Sequence, residues 1–102
     1  MGEPGPTSEM KAVWNDTVIA ESDETLQIEG SVYFPPDSVD EAYIHKTKMA
    51  SPCFWKGLAR YYDLRVNDET NRNAAWYYPH PFPWIRKIRN YVAFWNGVEI
   101  KP

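Results

Sequence analysis

The chain has 102 residues, 16% of them aromatic and 25% charged, with a formal net charge of −3 and a single cysteine. A single domain of about this size buries roughly 60–70% of its unfolded surface, and buried rings that each remove roughly 150–250 Å² from water strengthen a modest core. The negative balance argues against a duplex nucleic-acid partner, one cysteine excludes an internal disulfide, and no stretch reaches the roughly 18 apolar residues of a membrane span.

Residues 1–9 are Gly, Pro, Glu, Thr and Ser around Met1. They have too little to bury to offset the entropy of ordering, and are predicted to be a disordered tail ahead of a single domain over residues 10–102. The opening Met1-Gly2-Glu3-Pro4-Gly5-Pro6 has no apolar core of a secretory leader. With the lone cysteine, this makes a reducing, cytoplasmic setting and no membrane partner the expectation.

Trp14-Asn15-Asp16-Thr17 reads as a hairpin turn. Leu26 to Phe34 alternates with period two and reads as one strand: Leu26, Ile28, Val32 and Phe34 share one face, Gln27, Glu29, Ser31 and Tyr33 the other. Ser38-Val39-Asp40-Glu41 has the spacing of a capping box, with room for only a turn or two of helix. Residues 45–57 have no period and read as a long loop.

Leu58 to Val66 is a second strand, with Leu58, Tyr62, Leu64 and Val66 opposing Ala59, Tyr61, Asp63 and Arg65. Arg60 falls on the apolar side, where it either snorkels outward or serves a site. Val66-Asn67-Asp68-Glu69 is a turn, and Ala74 to Tyr78 a short strand with Trp76 and Tyr78 on one side. Pro79-His80-Pro81-Phe82-Pro83 is a rigid connector in which Tyr78-Pro79 is a position for a cis bond. Pro83 can start a helix running to Asn90, with Trp84, Ile85, Ile88 and Tyr91 on one stripe and Arg86, Lys87 and Arg89 in solvent.

Trp95-Asn96-Gly97-Val98 is another hairpin turn. Ala12, Trp14, Asn15 and Ile19 recur at a fixed offset as Ala93, Trp95, Asn96 and Ile100. Two readings stay open: convergent hairpin chemistry, or matching terminal hairpins on a pseudo-symmetric sheet. The elements together predict an all-β domain, mainly antiparallel, with one or two short helices.

Three segments carry a family resemblance. They are Cys53-Phe54-Trp55-Lys56-Gly57-Leu58-Ala59-Arg60-Tyr61-Tyr62, Ala74-Ala75-Trp76-Tyr77-Tyr78-Pro79-His80-Pro81 and Tyr91-Val92-Ala93-Phe94-Trp95. With Val13-Trp14-Asn15, Ile19-Ala20-Glu21-Ser22 and Tyr33-Phe34-Pro35-Pro36, the chain resembles domain-of-unknown-function family 427 over about residues 11–101. That family also carries a nucleotidyltransferase-type label. Phe54 stands where the family commonly has proline. The resemblance implies a β-tent fold, sheets leaning together over a pocket, and no settled activity. Some β-tent relatives bind zinc through paired Cys-x-x-Cys motifs; one cysteine and two histidines here cannot supply that site, so neither metal nor cofactor is expected.

The candidate chemistry centres on Lys56. A lysine close to Cys53 would favour the thiolate, against the alternative of a buried, inert cysteine. Lys56-Gly57 lacks a phosphate-binding glycine loop, but its ammonium could meet an anion at a strand end. Trp55, Tyr61, Trp76, Tyr77 and Tyr78 could make a stacking platform, although Trp14, Trp76 and Trp95 read more readily as core. Tyr61, beside Asp63, has a hydroxyl suited to orienting a ligand, and Tyr33 shares a polar face with Glu29. Glu29 is an acid or base beside Lys56 if that face lines the hollow, and a surface residue if it does not. His45 and His80 have no partners at metal spacing.

The leading expectation is a pocket for a small anionic or nucleotide-like ligand, lined by Lys56, Tyr61, Trp55, Tyr33, Trp76 and Tyr78. The alternatives are an enzyme using Cys53, Lys56 or Glu29, and an interaction module whose rings are core. A fourth is a binder of single-stranded nucleic acid through Arg86, Lys87, Arg89 and the aromatics.

Overall fold

The structure, a computed structural model, describes residues 9–102. The tail expected over residues 1–9 therefore lies outside the described residues except for Glu9, which is exposed. Among the described residues, nine strands make three antiparallel sheets, and the helical content is limited to short 3-10 segments. No helix of the described residues is long and apolar enough to cross a membrane.

Strands β1 (Met10–Trp14) and β2 (Thr17–Ser22) form a hairpin. Its turn residues Asn15 and Asp16 both have positive φ, the conformation a two-residue turn with the right twist requires. Next come β3 (Leu26–Ile28) and β4 (Ser31–Tyr33). Then β5 (Ile44–Cys53), β6 (Gly57–Val66), β7 (Glu69–Tyr77) and β8 (Val92–Phe94) build a four-stranded sheet in sequential order. Strand β9 (Glu99–Lys101) returns to pair with β1. The β6–β7 turn at Asn67 and Asp68 again has two positive φ values, as its sequence predicts.

Strands β6, β7 and β8 of the four-stranded sheet contribute buried residues to a core on each face. Leu64, Val66, Ala75, Tyr77, Val92 and Phe94 pack on one side with Ala12, Ile19 and Ala20 of the β1–β2 hairpin. Ala59, Tyr78 and Ala93 pack on the other with Tyr33, Ile85 and Ile88. Phe34 and Val92 exchange backbone hydrogen bonds of 2.8 and 2.9 Å, which fasten the end of β4 to β8.

Several expectations are corrected. Leu26 to Phe34 is a hairpin, not one strand: Glu29 and Gly30 form its turn, both with positive φ. Residues directly opposite in an antiparallel pair share a face, so Leu26 and Ile28 side with Tyr33 while Val32 and Phe34 join the other core. The expected loop over 45–57 is mostly β5, an edge strand without a single buried residue. Leu58 is exposed and Ala59 buried, the reverse of the expected faces at that end of β6.

The Ser38 capping box does not form. The Ser38 hydroxyl donates to the Pro35 carbonyl at 2.7 Å, and Asp40 caps the 3-10 turn Glu41–Tyr43 by accepting from the Ala42 N–H. The segment after Pro83 is a kinked 3-10 run, Pro83–Ile88, which buries Ile85 and Ile88 but leaves Trp84 exposed. Every peptide bond among the described residues is trans, Tyr78-Pro79 included. The Asn96-Gly97 turn joins β8 and β9, which lie in different sheets, so the termini form no matching hairpins.

Candidate functional site

Lys56 sits in the three-residue turn between β5 and β6, where Cys53 pairs with Gly57. Gly57 has φ +126°, and a Cβ there would stand 3.1 Å from the His80 carbonyl oxygen. Glycine therefore lets this turn press against the proline-rich connector, and the Phe82 N–H donates to the Lys56 carbonyl at 3.0 Å. The backbone of Lys56 is thus fastened to the connector, and the residue is only 6% exposed.

Burying a lysine is costly unless its charge is paired. The ammonium donates to Glu29 Oε1, and it lies 5.1 Å from the Trp55 ring centroid and 5.6 Å from that of Tyr78. The hydrogen bond from Lys56 holds the Glu29 carboxyl below the usual carboxylate range. For Lys56, burial works to lower the pKa, but the Glu29 hydrogen bond and the fields of Tyr33 and Tyr78 outweigh it and raise it above the ordinary lysine value. Both groups are locked in their charged forms. Burial pushes the neighbouring Tyr78 hydroxyl up to about 12, although Lys56 pulls the other way.

A cleft of about 290 Å³ opens beside this pair, with Tyr33, Tyr61, Trp76 and Tyr78 in its walls. Ser31 and Trp95 complete the lining. The Trp76 Nε1–H donates to the Tyr33 hydroxyl at 3.2 Å, and the two rings meet edge to face. Trp95 meets Trp76 edge to face in turn, and its Nε1–H donates to the Asn73 carbonyl at 2.7 Å. The Tyr61 hydroxyl is hydrogen-bonded to Ser51 Oγ at 2.9 Å.

The fold brings together Glu29, Tyr33, Lys56, Tyr61, Trp76 and Tyr78, all candidates in the sequence, with Trp55 flanking the ammonium. The face argument that grouped Glu29 with Tyr33 fails, because Glu29 is in a turn and Tyr33 is 1% exposed. Cys53 is half-buried in the core on the cleft side, and the hydrogen-bond partner of Lys56 is Glu29. Trp95, expected in the core, is half-exposed and lines the cleft; Trp76 is likewise a wall residue. Trp95 and Ser31 are the residues that sequence reasoning missed. The position of Trp95 directly before an Asn-Gly turn was the available signal, since turn flanks reach the surface. Tyr77 belongs to the opposite core, where it stacks on Tyr62 at 4.5 Å. Arg60 is half-buried and does not line the cleft. Among the described residues, no cluster of three or more His, Cys, Asp or Glu could hold a metal ion.

A larger hollow of about 470 Å³ lies over the opposite face, with Tyr62 and Tyr77 in its walls. Its charged members, Glu41 and Lys46, are both exposed, so it offers no buried charge to a ligand. Compared with known proteins, the chain matches over residues 5–101 a family model described as a domain of unknown function, DUF427. No curated protein matches it.

Proposed function

The chain belongs to this family of domains of unknown function, and we propose that the domain binds a small anionic ligand bearing a flat ring, of the nucleotide-like class. The observation that carries the reading is a buried, permanently charged lysine at an aromatic cleft, whose carboxylate partner stands on an exposed turn. An incoming anion takes the place of the Glu29 carboxylate, and Glu29 swings into water. The ring of the ligand then lies against Trp76, Tyr78 and Trp95. Ligand pockets span roughly 300–1,000 Å³, so this cleft suits one ring system with one anionic group. The hollow corresponds to the pocket of the β-tent arrangement, and the single cysteine suits a reducing, cytoplasmic setting.

The protonation states speak against the catalytic alternative. A nucleophilic lysine must be able to shed its proton, and an effective general base needs a pKa close to neutrality; here Lys56 is pushed up and Glu29 down. The pair is built to stay charged, which suits holding an anion better than moving a proton.

The test is titration calorimetry with a nucleoside monophosphate, the parent nucleoside and inorganic phosphate, backed by thermal melts. The monophosphate should bind best and raise the melting midpoint by mass action. Lys56→Met should abolish its binding, while a change at the exposed Lys48 leaves it intact. If no anionic ring compound in a millimolar panel binds, or if Lys56→Met binds as well as the parent protein, the reading fails.

A further inference from the structure

Away from the cleft walls, three aromatic rings stand in solvent where the β5–β6 turn meets the connector. Phe54 is 93% exposed, Trp84 68% and Phe82 37%. These rings are not loose. The Trp84 Nε1–H donates to the Trp55 carbonyl at 2.7 Å, Phe82 donates its N–H to the Lys56 carbonyl, and the Phe82 and Trp84 rings pack at 5.1 Å with a 35° tilt. The sequence around them is locally basic, and the one acidic group paired with the β5–β6 turn, Glu29, is already held by Lys56. There is no acidic residue between Glu41 and Asp63, a run that holds Lys46, Lys48, Lys56 and Arg60, and none between Glu69 and Glu99, a run that holds Arg72, Arg86, Lys87 and Arg89. Phe54 lies in the first run, Phe82 and Trp84 in the second. Arg86, Lys87 and Arg89 are all exposed immediately after Trp84. Within a chain of net charge −3, the exposed cations beside these rings are therefore Arg86, Lys87 and Arg89.

We propose that this face binds single-stranded nucleic acid, with bases stacking on Phe54, Phe82 and Trp84 and phosphates meeting Arg86, Lys87 and Arg89. Unpaired bases recognise exposed ring faces beside cations without regard to sequence, whereas a duplex keeps its bases stacked on one another. The Trp84 indole N–H is already used by a backbone carbonyl, so that ring offers its face and not a hydrogen bond. This separates the arrangement from a membrane-interface tryptophan, whose N–H reaches the headgroups. The tilted Phe82–Trp84 pair is a fixed platform, where insertion into a bilayer calls for free wedges.

Fluorescence anisotropy of a labelled oligothymidylate tests the proposal. Binding should appear at low salt and weaken roughly ten- to twentyfold between about 50 and 200 mM, as three phosphate contacts on a single strand require. Phe54→Ser and Trp84→Ala should each weaken it at least about fivefold, the scale of one lost stacking contact. Phe54 has almost no contacts to lose, so Phe54→Ser keeps the fold, and circular dichroism checks this. The triple change of Arg86, Lys87 and Arg89 to Gln should flatten the salt dependence. Lys56→Met should leave oligonucleotide binding in place, which separates this face from the cleft. Absence of binding at low salt, indifference to Phe54→Ser and Trp84→Ala, equal affinity for duplex, or preferential binding to phosphatidylserine-containing vesicles would each overturn it.

Discussion

Lys56 and Glu29 form an ion pair in which one partner is buried and the other stands half in water. The two respond to pH from opposite ends. The folded carboxyl of Glu29 titrates below its unfolded value, so its contribution is present above the unfolded value and lost as pH falls through the depressed one. Lys56 titrates above its unfolded value, so its contribution is present below that value and lost as pH rises through the raised one. Tyr78 behaves like the lysine: its share of stability is present below about 10, the ordinary tyrosine value, and disappears as pH climbs through about 12. Alkaline titration followed by tyrosinate absorbance should therefore show a step near 12 that Tyr78→Phe removes. A Tyr78 hydroxyl ionising near the ordinary tyrosine value of about 10 would mean the ring is wetter than the cleft geometry allows. On the ligand side, Glu29→Gln removes the competitor for the ammonium and should tighten nucleoside monophosphate binding. Weaker binding in Glu29→Gln would show that Glu29 contacts the ligand instead of yielding to it.

At the scale of elements, the cleft depends on an irregularity between β6 and β7. Tyr62 pairs with Ala75 and Leu64 with Asn71, so Asp63 alone faces three residues of β7. Asn73, in that bulge, has φ +52°, and three of its polar groups are used. Its N–H donates to Asp63 Oδ1 at 2.8 Å, its side-chain oxygen accepts from Thr47, and its carbonyl accepts from Trp95. Asp63 thereby fixes the bulge, the bulge fixes Trp95, and Trp95 sets the wall beside Trp76. Asp63→Ala should cost about 1.5–3 kcal/mol in denaturant unfolding, the worth of a hydrogen bond to a charged group, and should weaken ligand binding through Trp95. A loss below about 0.5 kcal/mol would show that water replaces the carboxylate.

Such a bulge is not legible in sequence, since nothing in Asp63 or Asn73 alone announces that they meet. The Asn-Asp turns were legible, because few residue types accept two successive positive φ values. The β3–β4 hairpin was hidden for the opposite reason. Glu29-Gly30 is a less familiar turn pair, and apolar residues at 26, 28, 32 and 34 continue an unbroken alternation while the chain itself reverses. Strand β5 was hidden because an edge strand needs no apolar face, and lysines at 46 and 48 protect its open side from pairing. The candidate residues came from residue chemistry, and the sequence left Glu29 open between a partner of Lys56 and a surface residue; an exposed turn residue that pairs with Lys56 is both, and the strand account of Glu29 could not show it.

For the molecule as a whole, the central sheet is the wall shared by two cores. Leu64 and Tyr77 contribute to one, Ala59 and Tyr78 to the other, and each pair alternates along the same strand or its immediate extension. Neither core retains a surface to pack against once that sheet is lost, so the two cannot melt in separate steps. Leu64 is fully buried on the face away from the cleft, and Leu64→Ala should cost about 2–5 kcal/mol. The loss should register equally in far-ultraviolet circular dichroism and in the tryptophan fluorescence to which Trp55 and Trp76 contribute from the other core. Coincident midpoints mean that the cleft exists only while the distant core is intact, and that a ligand held by Lys56 stabilises β1 and β9 as much as β6. Separated midpoints would mean that the β3–β4 hairpin and the Pro83–Ile88 segment detach on their own. The cleft would then open by local unfolding, and ligand binding would protect only its own side of the sheet from hydrogen exchange.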